Sequence, residues 1–309
     1  MENLTLAPIV LFVYNRPWHT QQTLEALSKN ELANHSELFI YSDGPKEAAS
    51  ADDFQKINEV RELIKEKNWC RSVQIIESRI NKGLADSIIE GVTKIVKEYG
   101  RIIVLEDDIV TSKGFLRYMN DALELYKNEE KVMHISGYIP PISEKGLPDT
   151  FFYNQTSCWG WGTWNDSWVN FKISAIDLKE ELDKRTSISH FNIDGSYDFY
   201  SDLIKNISGE MKTWAIKWHT SVYLKNGLCL HPKKSLAQNI GFDSSGIHCG
   251  KSDKYNTEVS RHIFVKKSKN MSENILARKR IVNFNLGRVI KKENIWYNVL
   301  QSLKTKILD

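Results

Sequence analysis

The sequence lacks a long apolar run and a recognisable leader. No stretch approaches the roughly 20 consecutive apolar residues that span a bilayer. The first residues, Met-Glu-Asn-Leu-Thr, include no basic region ahead of an apolar segment, which is not the pattern of a secretory signal. Cysteine is scarce and scattered, at Cys70, Cys158, Cys229 and Cys249, with no close pair that could bind a metal. We therefore expect a cytoplasmic protein with free thiols.

Two phosphate-binding signatures are also missing. No Gly-x-Gly-x-x-Gly follows the first predicted strand, and no Walker phosphate loop occurs anywhere in the chain. These absences argue against dinucleotide oxidoreductases and phosphate-loop NTPases. A nucleotide would have to be held by other groups, such as a carboxylate on the base or ribose and arginines near the phosphates.

The most informative stretch contains three consecutive carboxylates. Residues 102–105 form a short apolar run rich in β-branched residues, typical of a strand buried on both faces, and Glu106, Asp107 and Asp108 follow at once. Because a buried strand cannot keep unpaired charge, the triplet must emerge at the carboxyl end and meet a partner there. Hard oxygen ligands at such a place suit Mg²⁺ or Mn²⁺ held jointly with substrate phosphates. The alternative is that these acids only cap the next helix.

Similar apolar runs alternate with helical patterns through the first 110 residues. The predicted strands are 8–14, 37–41, 73–76 and 102–105, and the predicted helices are 19–28, 52–66 and 84–99. This order predicts βαβ units and a mostly parallel central sheet flanked by helices. Polar residues just past the strand ends would converge with the acidic triplet on one edge of the sheet, and they are Asn15, Arg16, Asp43, Arg79 and Asn81.

Tryptophan is concentrated in one segment of the second half. Residues 159–168 contain four Trp, spaced by glycines that let a backbone approach closely. This cluster could form a platform for the face of a sugar, with Trp159, Gly160 and Trp161 as the wall of the pocket. The alternative is a hydrophobic corner of the core.

The end of the chain is strongly basic. Residues 261–309 contain 12 Lys and Arg against 3 Asp and Glu, whereas the rest of the chain is mildly acidic. Basic groups at 278–280 and 291–292 lie beside aliphatic and aromatic residues, a pattern that suits an anionic membrane interface. A helix packed on the sheet with a basic outer face is the alternative. Nothing else in the sequence supports nucleic acid as a partner.

Taken together, these motifs resemble the GT-A nucleotide-sugar glycosyltransferases. The resemblance rests on the Asn-Arg-Pro turn after the first strand, Ser42-Asp43-Gly44, Asn81-Lys82-Gly83-Leu84 and Glu106-Asp107-Asp108. The Leu-Glu-Asp-Asp form and the later Trp-Gly-Trp are similar to the subgroup around N-acetylglucosaminyltransferase I and its bacterial relatives that build surface glycans. The likeness covers about residues 6–250. It implies a GT-A, Rossmann-like α/β domain over 1–260, with a nucleotide-binding half (1–110) and a metal and acceptor half (111–260), followed by a basic helical tail (261–309).

The resemblance also implies roles for single residues. Asp108 would contact the divalent metal, Mn²⁺ or Mg²⁺, and His248 in a late Gly- and Ser-containing loop would join it. Glu106 and Asp107 would face the ribose or donor sugar, and Asp43 would meet the base. The remaining nucleotide-sugar contacts would come from Asn15, Arg16, Gly44, Arg79, Asn81, Gly83, Leu84, Trp159, Gly160 and Trp161.

One position departs from the resembling enzymes. There, a carboxylate follows the first Trp of the Trp214 segment and acts as base toward the acceptor hydroxyl. Here Ala215, Ile216 and Lys217 occupy that place. Acids that precede it in the sequence become the predicted bases, Asp198 and Asp194, with Glu210 as an alternative. Asp194, Asp198 and Asp202 are spaced to share one helix face.

We therefore expect a metal-dependent, inverting hexosyl- or N-acetylhexosaminyltransferase. It would use a UDP-sugar as donor and a glycan or lipid-linked glycan as acceptor, in bacterial polysaccharide or lipopolysaccharide biosynthesis, with peripheral contact at the inner face of the plasma membrane. Two alternatives stay open. A sugar nucleotidyltransferase usually has a Gly-rich basic loop after its first strand, whereas residues 13–17 have no glycine. A non-catalytic nucleotide- or glycan-binding protein of this fold would explain the missing base.

Overall fold

The computed structural model describes residues 5–185, 187–243 and 252–288. Within these ranges, strands and helices alternate regularly up to residue 106 and less regularly after it. The ten strands in these ranges are β1 (Ile9–Val13), β2 (Glu37–Ser42), β3 (Ser72–Glu77), β4 (Arg101–Glu106), β5 (Ile109–Thr111), β6 (Val132–Ser136), β7 (Thr150–Tyr153), β8 (Trp161–Trp164), β9 (Leu228–Pro232) and β10 (Ala237–Asn239).

The helices flank this strand system. They are α1 (Pro17–Ser28), α2 (Ala51–Leu63), α3 (Leu84–Tyr99), α4 (Phe115–Leu125), α5 (Asn165–Trp168), α6 (Ala175–Asp183), α7 (Ile188–Phe191), α8 (Phe199–Ser208), α9 (Ala215–Leu224) and α10 (Ile275–Asn285). Local sequence signals explain where two of these helices begin or end. Ser50 and Asp53 form a reciprocal capping box at the start of α2, and Gly100 ends α3 in a left-handed conformation with φ of 78°.

Eight strands form the main sheet, in the order β3-β2-β1-β4-β8-β6-β9-β7. Neighbours among β1 to β4 are parallel, as are β6 and β9. Strand β8 is antiparallel to β4 and β6, and β7 is antiparallel to β9. The predicted α/β fold with a mainly parallel central sheet flanked by helices is confirmed.

Strand β1 explains why the apolar runs in this sequence are unbroken. Ile9 and Leu11 pack into one hydrophobic cluster, and Val10 and Phe12 pack into another. Alternate residues of a strand point to opposite faces, so β1 is buried on both sides of the sheet. A strand in this position cannot alternate polar and apolar residues.

The register of the parallel strands brings their carboxyl ends together. Ser42 pairs with Val13 on one side and with Glu77 on the other. Glu106 pairs with Phe12. The polar segments that follow β1, β2, β3 and β4 therefore share one edge of the sheet, as the sequence predicts.

The Trp-rich segment contains a strand that the sequence does not predict. Strand β8 lies between β4 and β6 and pairs Gly162 with Ile103 and Ile135. A Cβ on Gly162 would lie 2.8 Å from the carbonyl oxygen of Ile102, so glycine permits this close pairing. Much of the cluster is therefore part of the sheet and its core.

The last described helix packs on the edge strand β7. Ala277 and Ile281 of α10 share a hydrophobic cluster with Phe151 and Tyr153. Residues 289–309 of the predicted tail lie outside the described residues, and the domain boundary at 260 stays a prediction. No helix of the described ranges is both long enough and apolar enough to cross a membrane.

Candidate functional site

A cavity of about 680 Å³ opens at the carboxyl edge of β1, β2 and β4. Its lining includes ten of the predicted site residues: Asn15, Arg16, Asp43, Asn81, Gly83, Leu84, Glu106, Asp107, Asp108 and Trp159. The second half of the chain contributes residues 138–140 and residues between 153 and 159, together with residues of α8, the start of α9 and the last turns of α10. The structure thus brings most of the predicted residues into one concave site.

The partner of the acidic triplet is Arg16. Its guanidinium donates to both oxygens of Asp107, from Nε to Oδ2 at 3.1 Å and from Nη2 to Oδ1. Nη2 also donates to Asp108 Oδ2 at 2.8 Å. Asp107 and Asp108 are only 6% and 8% exposed. Burial raises the pKa of Asp107, and Arg16 opposes that rise, so the arginine supplies the charge that these buried acids need.

Glu106, the first acid of the triplet, has a different environment. Burial raises its pKa well above the usual range, and the neighbouring Asp108 and Asp107 raise it further. A protonated carboxyl group can donate one hydrogen bond as well as accept others. Glu106 could therefore donate a hydrogen bond to a ribose or sugar hydroxyl or accept one from it.

Asp108 presents one unused oxygen. Its Oδ1 is buried and has no hydrogen-bond partner among the described residues. A Cβ on Gly241 would collide with the other oxygen, Oδ2, and the N–H of Ile240 donates to the Asp108 carbonyl at 2.9 Å. The segment after β10 therefore packs tightly on Asp108 and fixes its position.

The donor set fits a divalent cation that arrives with a nucleotide. Magnesium at phosphate-binding sites commonly takes one or two carboxylates and completes its shell with phosphates and water. The unused oxygen of Asp108 matches that need. No group of three or more His, Cys, Asp or Glu side chains in the described ranges could hold a metal without a substrate. His248, the second predicted ligand, lies outside the described residues.

Asp43 organises the loop that follows β3. Its Oδ1 accepts from the N–H groups of Gly44 and Lys82, both at 2.9 Å. Its Oδ2 accepts from the N–H of Gly83 at 2.9 Å and from Asn81 Nδ2 at 3.0 Å. These four donors hold residues 81–83 against the cavity, whereas a direct contact of Asp43 with a base stays a prediction.

Two predicted nucleotide contacts lie off the cavity. A Cβ on Gly44 would lie 2.6 Å from the backbone of Ile80, so the glycine allows two loops to pack closely. Arg79 is exposed and does not line the cavity. Their roles toward a nucleotide stay predictions.

The three residues of the predicted sugar wall separate in the structure. Trp159 lines the cavity, whereas Trp161 is fully buried and stacks on Trp214 with ring centroids 4.9 Å apart. Gly160 has φ of 71°, which lets the chain turn between the two tryptophans. Trp161 therefore supports the cavity from behind through Trp214, which lines it.

Trp159 belongs to a group of aromatic rings that we call the aromatic wall: Tyr138, Trp159, Phe242, Tyr255 and Phe284. Trp159 meets Tyr138, Phe242 and Tyr255 at centroid distances of 4.3, 5.4 and 5.6 Å. Tyr255 meets Phe284 at 5.8 Å. Rings of this kind offer rigid apolar faces with a few polar edges, which suits a sugar ring.

The predicted base residues do not share one helix face. Helix α8 begins at Phe199, so Asp194 precedes it, with a left-handed φ of 53°. Asp194 forms an ion pair with Arg278, and Asp198 is the N-cap that accepts from the N–H of Ser201 at 3.0 Å. Neither carboxylate lines the cavity. Their catalytic role stays a prediction, but the structure gives both a structural task.

Asp202 is the aspartate of this segment that does line the cavity. It lies in the first turn of α8, and its Oδ2 accepts from the Tyr197 hydroxyl at 3.2 Å. Burial raises its pKa, and the Tyr197 hydrogen bond lowers it. Ala215, where the resembling enzymes have a carboxylate, lines the same cavity with only a methyl group.

Sequence reasoning missed the contribution of α10. Ile281, Phe284 and Asn285 line the cavity, although the sequence assigned them to a basic tail. The basic residues of this helix are largely engaged, because Arg278 is buried and Arg280 donates to the carbonyls of Ser143 and Lys145, both at 2.6 Å. The spacing of the apolar residues among these basic residues was the signal in the sequence for a packed helix.

The sequence matches no family model and no curated protein. Among solved structures, that of S. aureus TarS is similar over 48% of this chain and 25% of that chain, with 13% identity and a TM-score of 0.30. Residues 1–349 of S. aureus TarS match over 75% and 60%, with 12% identity and a TM-score of 0.40. Apo mouse xyloside xylosyltransferase 1 matches over 70% and 81%, with 10% identity and a TM-score of 0.34. The chain spans a quarter of the length of TarS and three-fifths of its 1–349 fragment, and TM-scores below 0.5 do not establish a shared fold.

Proposed function

We propose that this protein is a glycosyltransferase of GT-A type that moves a sugar from a nucleoside diphosphate sugar to a hydroxyl of a glycan. One observation carries the proposal: a single cavity is lined both by a carboxylate triplet with a fixed arginine and by an aromatic wall. The triplet suits a diphosphate with its cation, and the wall suits a sugar ring. A transfer between two sugars needs both.

The nucleotide would lie over the ends of β1 and β2. Phe12 and Tyr41 form a stacked pair there, with ring centroids 5.3 Å apart, and both line the cavity. They offer an apolar floor for a base, beside the loop that Asp43 holds in place. A UDP-sugar is the proposed donor, with a hexosyl or N-acetylhexosaminyl group to transfer.

The diphosphate would lie beside Asp108 and Arg16. Asp108 would hold Mn²⁺ or Mg²⁺ through its unused Oδ1, and the bound ion would supply positive charge that stabilises the departing diphosphate. Arg16 pairs with Asp107 and Asp108 and holds both side chains in place. The triplet would therefore position the donor, and Asp108 would provide an oxygen ligand for its cation.

The acceptor would enter along the aromatic wall. Trp159 and Tyr255 present ring surface, while Asn285 and Gln155 offer amide groups to sugar hydroxyls. Glycan synthesis at a bacterial surface, including lipopolysaccharide, is the proposed setting, and a lipid-linked glycan is a suitable acceptor. Inversion by one in-line displacement is the proposed course.

A binding and turnover experiment tests the proposal. The full chain is screened by thermal shift with UDP-glucose, UDP-galactose and UDP-N-acetylglucosamine, each with Mn²⁺, and UDP release is then followed with a panel of oligosaccharide acceptors. A true donor should raise the melting temperature, because a ligand at 100 times its Kd adds about 2.7 kcal/mol to the free energy of unfolding. Asp108→Asn should abolish Mn²⁺-dependent turnover and leave the fold intact.

The matched control is Asp52→Asn, which changes an exposed carboxylate on α2 away from the cavity. It should behave as the wild type. Release of pyrophosphate from a nucleoside triphosphate and a sugar phosphate would instead identify a nucleotidyltransferase. Binding without turnover for every acceptor would identify a binding protein, and unchanged turnover in Asp108→Asn would refute the metal assignment.

A further inference from the structure

Transfer to a glycan hydroxyl requires a group that removes the hydroxyl proton. That group must be an ionised carboxylate or a neutral histidine within hydrogen-bond reach of the acceptor. The start of α9 provides neither, because Ala215, Ile216 and Lys217 lie there. The question is which other residue of the cavity has a free basic atom.

Most carboxylates of the cavity are already engaged. Asp43 accepts four hydrogen bonds from its own loop, and both oxygens of Asp107 are bound to Arg16. Asp108 has one free oxygen, but it lies at the diphosphate end, where the proposed function places a cation. Glu106 belongs to the same triplet at the end of β4, which the proposed function assigns to the donor.

The histidines of the cavity cannot reach an acceptor. Both ring nitrogens of His231 face carbonyl oxygens, those of Tyr138 at 3.1 Å and Gln155 at 2.9 Å. His219 Nε2 is buried, and its ring packs against Phe191 and Phe199 with centroid distances of 5.1 and 4.4 Å. Neither ring presents a lone pair to the open part of the cavity.

Asp202 differs from these carboxylates and histidines because one of its oxygens accepts no hydrogen bond from the described residues and the side chain lines the cavity. It lines the cavity from the side of the aromatic wall, on a different element from the triplet. Within the described ranges, the Tyr197 hydroxyl is the one group that donates to its side chain, at Oδ2, and it leaves Oδ1 available. Tyr197 also lines the cavity, so the pair faces the space where an acceptor would lie.

We propose that Asp202 is the general base of the transfer and that Tyr197 positions it. The inference rests on the proposed function. The acceptor oxygen bonds to C1 of the donor sugar while the bond from C1 to the diphosphate oxygen breaks. The acceptor proton passes to the Asp202 carboxylate, and the nucleoside diphosphate leaves with the electron pair.

The surroundings of Asp202 set the pH at which it works. Burial raises its pKa, Tyr197 and Lys205 lower it, and Asp198 raises it. A base must be ionised, so turnover should fall as the pH drops through this pKa. Tyr197→Phe removes a hydrogen bond that favours the ionised form, and it should therefore move the acid limb of the kcat profile to higher pH.

The test compares three variants with the wild type, using UDP-glucose, UDP-galactose and UDP-N-acetylglucosamine with Mn²⁺ and oligosaccharide acceptors. Asp202→Asn should lower kcat by a factor of about 10² to 10⁴, abolish the acid limb and leave the Kd for the UDP-sugar within about twofold. Asp183→Asn is the matched control, because Tyr200 donates to Asp183 at 2.8 Å in a similar pair on the outer surface. It should leave both kcat and the pH profile unchanged.

The outcomes separate the two proposals. A wild type that transfers from none of the donors would refute the proposed function, and the base assignment with it. Transfer by the wild type together with an unchanged kcat in Asp202→Asn would refute only the base. If Asp202→Asn does not fold, Tyr197→Phe decides, and an unmoved acid limb would overturn the assignment.

Discussion

Arg278 and Asp194 form a two-point ion pair, from Nη2 to Oδ1 at 2.8 Å and from Nε to Oδ2 at 3.0 Å. The pair joins α10 to the loop before α8, across 84 residues of sequence. Arg278 also donates to both oxygens of Glu273 at 3.2 Å and to the carbonyl of His190 at 3.0 Å. One buried guanidinium therefore fixes the helix that closes one side of the cavity.

Arg278→Met should destabilise the protein by about 3 kcal/mol, because it leaves Glu273 and Asp194 without their cation. The side chain of Asp194 is half exposed, so most of the loss should come from Glu273, which is largely buried. Urea unfolding of the full chain measures the change. Lys279→Ala, at an exposed position of the same helix, should stay within about 0.5 kcal/mol of the wild type. Equal midpoints for the two variants would show that Arg278 does not hold the helix in place.

Asp43→Ala should weaken nucleotide binding by about 1.5–3 kcal/mol, the scale of a charge-assisted hydrogen bond. The structure adds a mechanism, because the variant also leaves the N–H groups of Lys82 and Gly83 without their acceptor. Calorimetric titration with UDP gives the Kd. Glu59→Ala, on the exposed face of α2, is the control. An unchanged Kd in Asp43→Ala would mean that the loop plays no part in nucleotide binding.

Arg16→Met should lower stability at pH 7 by about 3–5 kcal/mol, because two nearly buried carboxylates lose their counter-ion. Without Arg16, the pKa of Asp107 should rise further above its unfolded value of about 3.9. A carboxyl group with a raised folded pKa favours the folded state only at low pH, and this effect is lost as the pH rises. The difference from the wild type should therefore shrink between pH 7 and pH 4, and a pH-independent difference would contradict the electrostatic explanation.

Added Mn²⁺ should stabilise Arg16→Met more than the wild type, because the ion can replace the missing guanidinium at Asp107 and Asp108. Melting temperatures with and without the metal measure this effect. The double variant Arg16→Met, Asp108→Asn is the control and should respond less. An equal response in both variants would place the ion elsewhere.

Membrane association of the tail is a separate expectation. Arg278 and Arg280 are engaged within the protein. The effect would therefore depend on the exposed Lys279 and mainly on the basic residues after 288, which lie outside the described residues. Each basic residue near an anionic surface contributes about 1 kcal/mol. The protein should float with phosphatidylglycerol vesicles at low salt and be released at about 0.5 M salt, where screening is strong. Reversal of charge at Lys291 and Lys292 should abolish flotation, and a protein that never floats would show that the tail makes no such contact.

Much of the first half could be predicted from the sequence. The apolar runs of β1 and β4 and the helical period of α3 are dictated by burial on both faces of one sheet. Polar residues after parallel strands had to share an edge, and the cavity lies there. Local pattern was sufficient because a strand buried on both faces has an unbroken apolar run whichever strand it pairs with.

The second half depends on contacts that no local pattern encodes. Strand β8 lies between strands that come earlier in the chain, so a Trp- and Gly-rich segment pairs where its composition gave no sign of a strand. Asp194, Asp198 and Asp202 have helical spacing, but α8 starts only after the second of them. Their different surroundings follow from distant partners, such as Arg278 for Asp194.

Helix α10 gives the cavity Ile281, Phe284 and Asn285, yet it follows every strand of the main sheet in the chain. During synthesis the sheet can form while this helix is still inside the ribosome, since the amino-terminal part of a chain is free to fold first. The side of the cavity formed by β1, β2 and β4 would then be assembled before the side that α10 provides. A nascent chain would thus have a cavity that stays open on one side until residues 275–285 can pack.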